Sequence, residues 1–174
     1  FSELLDSSVM PGIQGGPLMH VIAGKAVAFA EALKPDFTTY ARQITSNAKV
    51  LAEKLLSLDY QLVSGGTDTH LVLIDLSKEG ISGKKAERRL EEAGITTNKN
   101  MVPFDQRSPM VTSGIRIGTP ALTSRGMGID AMKLIAGLID SVIKNIDDDS
   151  VIKKVNEKVI ELCDGFPLYP EFND

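Results

Sequence analysis

Hydrophobic periodicity changes twice along this chain, and that change constrains the fold more than any other feature. Over the first third, Leu18, Val21, Ile22, Ala26, Phe29, Ala30 and Leu33 recur at helical spacing, as do Phe37, Tyr40, Ile44, Ala48, Leu51, Leu55 and Leu58 after them. Such spacing gives two helices, each with an apolar stripe. Pro17 suits the first turn of the first helix, Pro35 enforces its end, and Asp36 fits as N-cap of the second. The middle of the chain alternates instead. "YQLVS" and "HLVLIDLS" read as strands around "GGTDT", where Gly65 and Gly66 supply the freedom of a turn. "SGKKAERRLEEAG" predicts a short helix capped by Ser82 and stopped at Gly94. "ITTNKN" and "GIRIGTPAL" are further strands, separated by a proline-bearing loop from about Val102 to Ser113. Helical spacing returns in "IDAMKLIAGLIDSVIKNI" and, after "DDDS", in "VIKKVNEKVIELC".

This order predicts an α+β fold (α/β in the broad sense) with a small, mainly antiparallel sheet packed on helices. It divides into a glycine loop and helical arm over 1–58 and a small domain over 59–174. At 174 residues, 43% hydrophobic and 24% charged, the chain can bury a core. A net charge of −4 argues against a nucleic-acid partner. No apolar run approaches the roughly 18 residues of a membrane span, and Glu3 and Asp6 stand where a signal peptide would be basic and then apolar. A single cysteine, Cys163, forms no internal disulfide, so a reducing cytoplasm fits. The chain opens at Phe1 without an initiator methionine and reaches its glycine loop almost at once. It is therefore expected to be a fragment, with its helical arm packing on something outside it.

Two segments invite chemistry. In "MPGIQGGPLMHVIAG", Gly15 and Gly16 precede a helix, where free backbone N–H groups and the helix dipole favour a phosphate. The other reading is a tight helix entry and nothing more. The lysine and hydroxyl of a Walker loop are missing, which weighs against a nucleotide site. In "TSGIRIGTPALTSRG", Ile115 and Ile117 share one strand face and Arg116 takes the other, while Gly114 and Gly118 remove side chains beside it and let a ligand approach. That suits a guanidinium gripping a carboxylate through two hydrogen bonds, although a solvated strand face is the alternative. Arg125 reads as surface or structural.

In "TNKNMVPFDQRSPM", Asn98 and Asn100 could read a heterocycle or serve as turn residues. Lys99 lacks the apolar pocket that would lower its pKa for Schiff-base work. His20 and His70 are too few for a metal site and are expected as hydrogen-bonded structural residues. Glu91, Glu92 and Asp147 to Asp149 read as solvated faces or caps.

Together, "MPGIQGGPLMHVIAGKAVAFAEAL", "VSGGTDTHLVLIDL", "TTNKNMVPFD" and "SPMVTSGIRIGTPALTSRG" closely resemble, in order and nearly end to end, the second half of serine hydroxymethyltransferase. The resemblance implies an aminotransferase-like small domain of a pyridoxal 5'-phosphate enzyme. It also implies exchange of serine plus tetrahydrofolate with glycine plus 5,10-methylenetetrahydrofolate, and a homodimer. Carried over by motif, Arg116 would clamp the substrate carboxylate and Asn100 would address the pterin ring. Ser108, Pro109 and Met110 would lie along folate, and Gly15 and Gly16 would bind the cofactor phosphate for a neighbouring subunit. The chain has Met10 and Met110 where many relatives have phenylalanine, which makes those folate contacts softer. The family's Schiff-base lysine would lie upstream of Phe1, so the chain carries no catalytic residue and is expected to be inactive alone. The competing expectation is a non-catalytic ligand-binding or assembly module.

Overall fold

A computed structural model describes residues 1–169 and resolves the chain into two compact units, Phe1–Thr39 and the residues from Tyr40 onward. Among the described residues there are seven helices and one four-stranded antiparallel sheet, the α+β class that the periodicity predicts.

The first unit holds α1 (Ser2–Val9), α2 (Met19–Ala32) and the start of α3 (Pro35–Ser57). Every residue from 1 to 39 is exposed. Apolar side chains lie on several sides of α2, with Ile22 at 45% and Phe29 at 67% exposure. A helix apolar all round is one that proteins bury, so this unit presents an unsatisfied apolar surface. Two expected boundaries move. Pro17 falls outside α2, because Leu18 takes an extended conformation at the N-cap and the helix starts at Met19. Asp36 lies in the first turn of α3 rather than at its cap, where its carboxylate still complements the helix dipole.

The second unit is built on strands β1 (Gln61–Leu62), β2 (Leu71–Asp75), β3 (Asn98–Asn100) and β4 (Gly114–Gly118), in the order β1-β2-β4-β3. A short 3-10 turn, Val63–Gly65, follows β1, and Ser64 and Gly65 both have positive φ there. The expected strand "YQLVS" is thereby cut to two residues. Val72 and Ile74 of β2 and Ile115 and Ile117 of β4 contribute one face of the sheet to the core. Against them pack Leu51 and Leu55 of α3 and Leu90 of α4 (Gly83–Glu92). Met132, Ile139 and Val142 of α6 (Ile129–Lys144) and Ile152 and Val155 of α7 (Asp149–Asp164) complete the cluster. Each large side chain buried in this way contributes roughly 1.5–3 kcal/mol.

Local chemistry explains the helix ends. Ser82 caps α4 by accepting from the Lys85 N–H at 3.2 Å, and Gly94 just past the helix adopts a φ of +79°. Asp148 caps α7 through the Ser150 and Val151 N–H groups. The acidic residues beside it do more than face solvent. Asp149 and Glu92 both engage Arg89, which is 8% exposed and also donates from Nε to the Ile146 carbonyl at 2.8 Å. Arg89 thus ties α4 to the start of α7. One further departure follows β4, where "PAL" belongs to the short helix α5 (Pro120–Ser124) because Pro120 occupies its first turn.

Candidate functional site

Strand alternation places Arg116 as expected, with Ile115 and Ile117 buried and Arg116 exposed between them. The register sets Arg116 opposite Leu73 on β2 and opposite Asn98 on β3, while Asn100 stands opposite Gly114. Arg116, Asn98 and Asn100 therefore share the sheet face turned away from the core. Among the described residues the Arg116 guanidinium has no hydrogen bond or ion pair. It lines a cleft of about 720 Å³ with Lys49 and Glu53 of α3 and with Thr67, Asp68 and Thr69 before β2. Free donors in a fork, facing an open cleft, suit a bidentate carboxylate.

The glycines beside Arg116 answer a different need from the one expected. A Cβ at Gly114 would stand 2.7 Å from Val102 Cγ1 and 2.8 Å from the Ile74 carbonyl oxygen, and one at Gly118 would stand 3.1 Å from Leu71 Cδ2. The chain's own packing fills that space, so these glycines let strands and loop close together rather than admit a ligand.

The loop after β3 carries Ser108, Pro109 and Met110, all exposed, Met110 at 73%. The Ser108 carbonyl accepts from the Val111 and Thr112 N–H groups at 2.9 Å, closing a turn that displays the three residues. Asp105 staples the loop. Its Oδ1 accepts from the Ser113 hydroxyl at 2.6 Å and the Arg107 N–H at 2.9 Å, and its Oδ2 accepts from the N–H groups of Ser113 at 2.8 Å and Val102 at 3.3 Å. Burial pushes the Asp105 pKa up, but the Ser113 hydroxyl and then the three N–H donors outweigh it and hold the carboxyl at about 2. Arg107 extends the staple by donating to the Ile81 and Gly80 carbonyls at 2.7 and 3.2 Å. Sequence reasoning passed over Asp105, Arg107 and Ser113, although an aspartate two residues before an N–H in a proline-bearing loop is an Asx-turn signal.

Asn100 donates from Nδ2 to the Met101 carbonyl at 2.7 Å, leaving its side-chain oxygen as the free end. Lys99 is committed to Glu87 through both its backbone N–H and its Nζ. Arg125 is structural, donating to the Phe166 and Cys163 carbonyls at 2.9 and 3.0 Å. His20 and His70 are exposed and their rings have no partner among the described residues, contrary to the expected hydrogen-bonded roles. Among those residues no group of three or more metal-ligating side chains gathers, and no helix is long and apolar enough to cross a membrane.

Gly15 and Gly16 lie in the first unit, in an exposed loop three to four residues ahead of α2. A Cβ at either would meet nothing within 4 Å. Their N–H groups, with those of Leu18, Met19 and His20, have no acceptor among the described residues. A row of free donors at the positive end of a helix fits a phosphate.

These features define an α+β protein with an unpartnered guanidinium on its open sheet face and a separate amide-rich loop. A family model described as serine hydroxymethyltransferase matches residues 1–139 of the 174. The chain belongs to the serine hydroxymethyltransferase family, a family of one-carbon transferases acting on serine and glycine.

Proposed function

We propose that this chain supplies the substrate-carboxylate and folate contacts of an enzyme that interconverts serine plus tetrahydrofolate with glycine plus 5,10-methylenetetrahydrofolate. The observation that carries the reading is the partnerless Arg116 guanidinium on the open sheet face, beside Asn98 and Asn100 and over a cleft, in a chain of this family. Arg116 grips the carboxylate of serine or glycine through two parallel hydrogen bonds, which fixes the amino acid's orientation. Asn100 offers its free side-chain oxygen to donors of the pterin ring. Ser108, Pro109 and Met110 lie along the rest of the folate, held in place by the Asp105 staple.

The Gly15 and Gly16 N–H groups hold the phosphate of pyridoxal 5'-phosphate for the active site of a neighbouring subunit in a homodimer. When bound, the cofactor supplies the electron sink for breaking bonds at the amino-acid α-carbon. The residues of this chain bind and orient; the lysine that carries the cofactor belongs to a further part of the polypeptide. The exposed apolar surface of residues 1–39 supports that division, since those residues then form an arm that packs on that further part, while α3 from Tyr40 onward packs into the small domain. A cytoplasmic setting accords with the reaction.

The test is reconstitution. Mixing this chain with an N-terminal half of the family that carries the cofactor lysine is expected to produce serine-dependent formation of methylenetetrahydrofolate, with no activity from either piece alone. Tight binding of folate or glycine by the chain without any rescue would replace this reading with a non-catalytic binding module.

A further inference from the structure

We propose that Thr119 and Asn47 are positioning residues for the Arg116 guanidinium, an inference that rests on the reading of Arg116 as a carboxylate clamp. Arg116 has no side-chain partner, so its placement comes from the backbone alone. Pairing with β3 ends at Arg116 itself, opposite Asn98, and Ile117 and Gly118 are held by β2 only, opposite Val72 and Leu71. Directly after them the chain turns a corner into α5.

That corner is fastened from inside. The Thr119 N–H donates to the His70 carbonyl at 3.2 Å, and the Thr119 hydroxyl donates to the Ile44 carbonyl of α3 at 2.9 Å. The Thr119 carbonyl accepts from the Thr123 hydroxyl at 2.8 Å. Asn47 on α3 closes the network: its Nδ2 donates to Thr123 Oγ1 and to the Met127 carbonyl, both at 2.9 Å, and its Oδ1 accepts from Gln43 Nε2 at 2.8 Å. Asn47 and Thr119 are fully buried and Thr123 is 8% exposed.

Apolar residues of the same volume would hold α3 against α5, but hydrogen bonds are directional and select one register where apolar contact tolerates sliding. The end of β4 has a strand on one side only, so the corner fixes what the missing β3 pairing does not. A displacement at Thr119 reaches Arg116 three residues away, and a two-point grip on a carboxylate tolerates little misplacement.

The experiment titrates the chain, reconstituted with the half that carries the cofactor lysine, with glycine and follows the amide shifts of Leu73 and Asn98, the cross-strand neighbours of Arg116. Thr119→Val, which removes the hydroxyl and keeps the shape, is expected to weaken glycine binding by roughly five- to tenfold, and Asn47→Leu to match it. Thr119→Ser should stay within about twofold of the unsubstituted chain, because the hydroxyl is restored. Val142→Ala, in the core of α6, supplies a general loss of stability that should leave glycine affinity unchanged. Hydrogen exchange at the Arg116 and Thr119 amides should quicken in Thr119→Val beyond the change seen in Val142→Ala.

If Arg116→Ala abolishes glycine binding while Thr119→Val titrates like the unsubstituted chain, or Val142→Ala loses as much affinity, the positioning role is wrong and the clamp stands. If Arg116→Ala leaves affinity unchanged, or the active reconstituted enzyme shows no glycine-dependent shift, the clamp fails and the positioning role fails with it.

Discussion

Replacing Asp105 by asparagine tests the stapled loop with almost no change of shape. The carboxylate accepts four hydrogen bonds, two at each oxygen, from Val102, Arg107 and Ser113. An amide accepts at one end only. With its NH₂ at the Oδ2 end it opposes the N–H groups of Val102 and Ser113, and at the Oδ1 end it opposes the Arg107 N–H while the Ser113 hydroxyl turns to accept. One or two bonds are lost, and the rest lose their charge assistance. At about 1 kcal/mol net for each lost bond, plus a charge-assisted excess, the cost is about 2–3 kcal/mol. For a chain of this size that lowers the thermal midpoint by about 5–10 °C at neutral pH.

A second arm comes from acid. With the folded pKa depressed from 3.8 to about 2, Asp105 contributes stability that is complete above pH 4 and is lost as the pH falls through about 2. Discounted for a loop that solvent reaches, that contribution is about 1 kcal/mol. Thermal unfolding of both chains from pH 7 to pH 2 should therefore show the gap between them narrowing in acid. A midpoint within 1–2 °C at pH 7, or a gap that stays constant down to pH 2, would refute the staple (threshold set at roughly the effect of 0.5 kcal/mol).

Other outcomes follow from the same geometry. Gly114→Ala should cost about 2 kcal/mol or more, because its Cβ meets Val102 and the Ile74 carbonyl below 3.0 Å, whereas Gly15→Ala should stay within about 0.5 kcal/mol by chemical denaturation. Equal effects at the two positions would count against the packing described for Gly114. Arg89→Leu should lower the unfolding midpoint, and Arg89→Lys should recover only part of it, since one ammonium cannot reach Ile146, Glu92 and Asp149 in their three directions. Full recovery by lysine would mean that charge alone suffices. Incubation with pyridoxal phosphate should give no site-specific attachment to any lysine of this chain, as read by mass spectrometry after borohydride reduction.

The sheet was legible because β2 and β4 bury one face each, and alternation around Arg116 survives in the sequence as isoleucine, arginine, isoleucine. The helix α4 was legible for another reason: Ser82 and Gly94 are local signals whose partners lie within a few residues. What escaped depends on distance. The bonds of Asn47 run to Thr123 and Met127, 76 and 80 residues away, and nothing near "SNAKV" marks that residue as a buried fastener. The helix α5 was hidden because "TPALTS" has the threonine, proline and serine of a turn, and only docking of Thr119 and Thr123 beneath α3 makes it helical. The roles of Gly114 and Gly118 were misread since a glycine's vacancy in sequence does not say whether a ligand or the chain itself fills it.

The most direct measurement is serine affinity in the reconstituted enzyme with and without Arg116→Ala. Loss of the two-point carboxylate contact is expected to weaken binding by roughly 2 to 4 kcal/mol, about thirtyfold to several hundredfold. Serine binding that is unchanged in the Arg116→Ala enzyme would contradict the claim that this sheet face receives the substrate carboxylate.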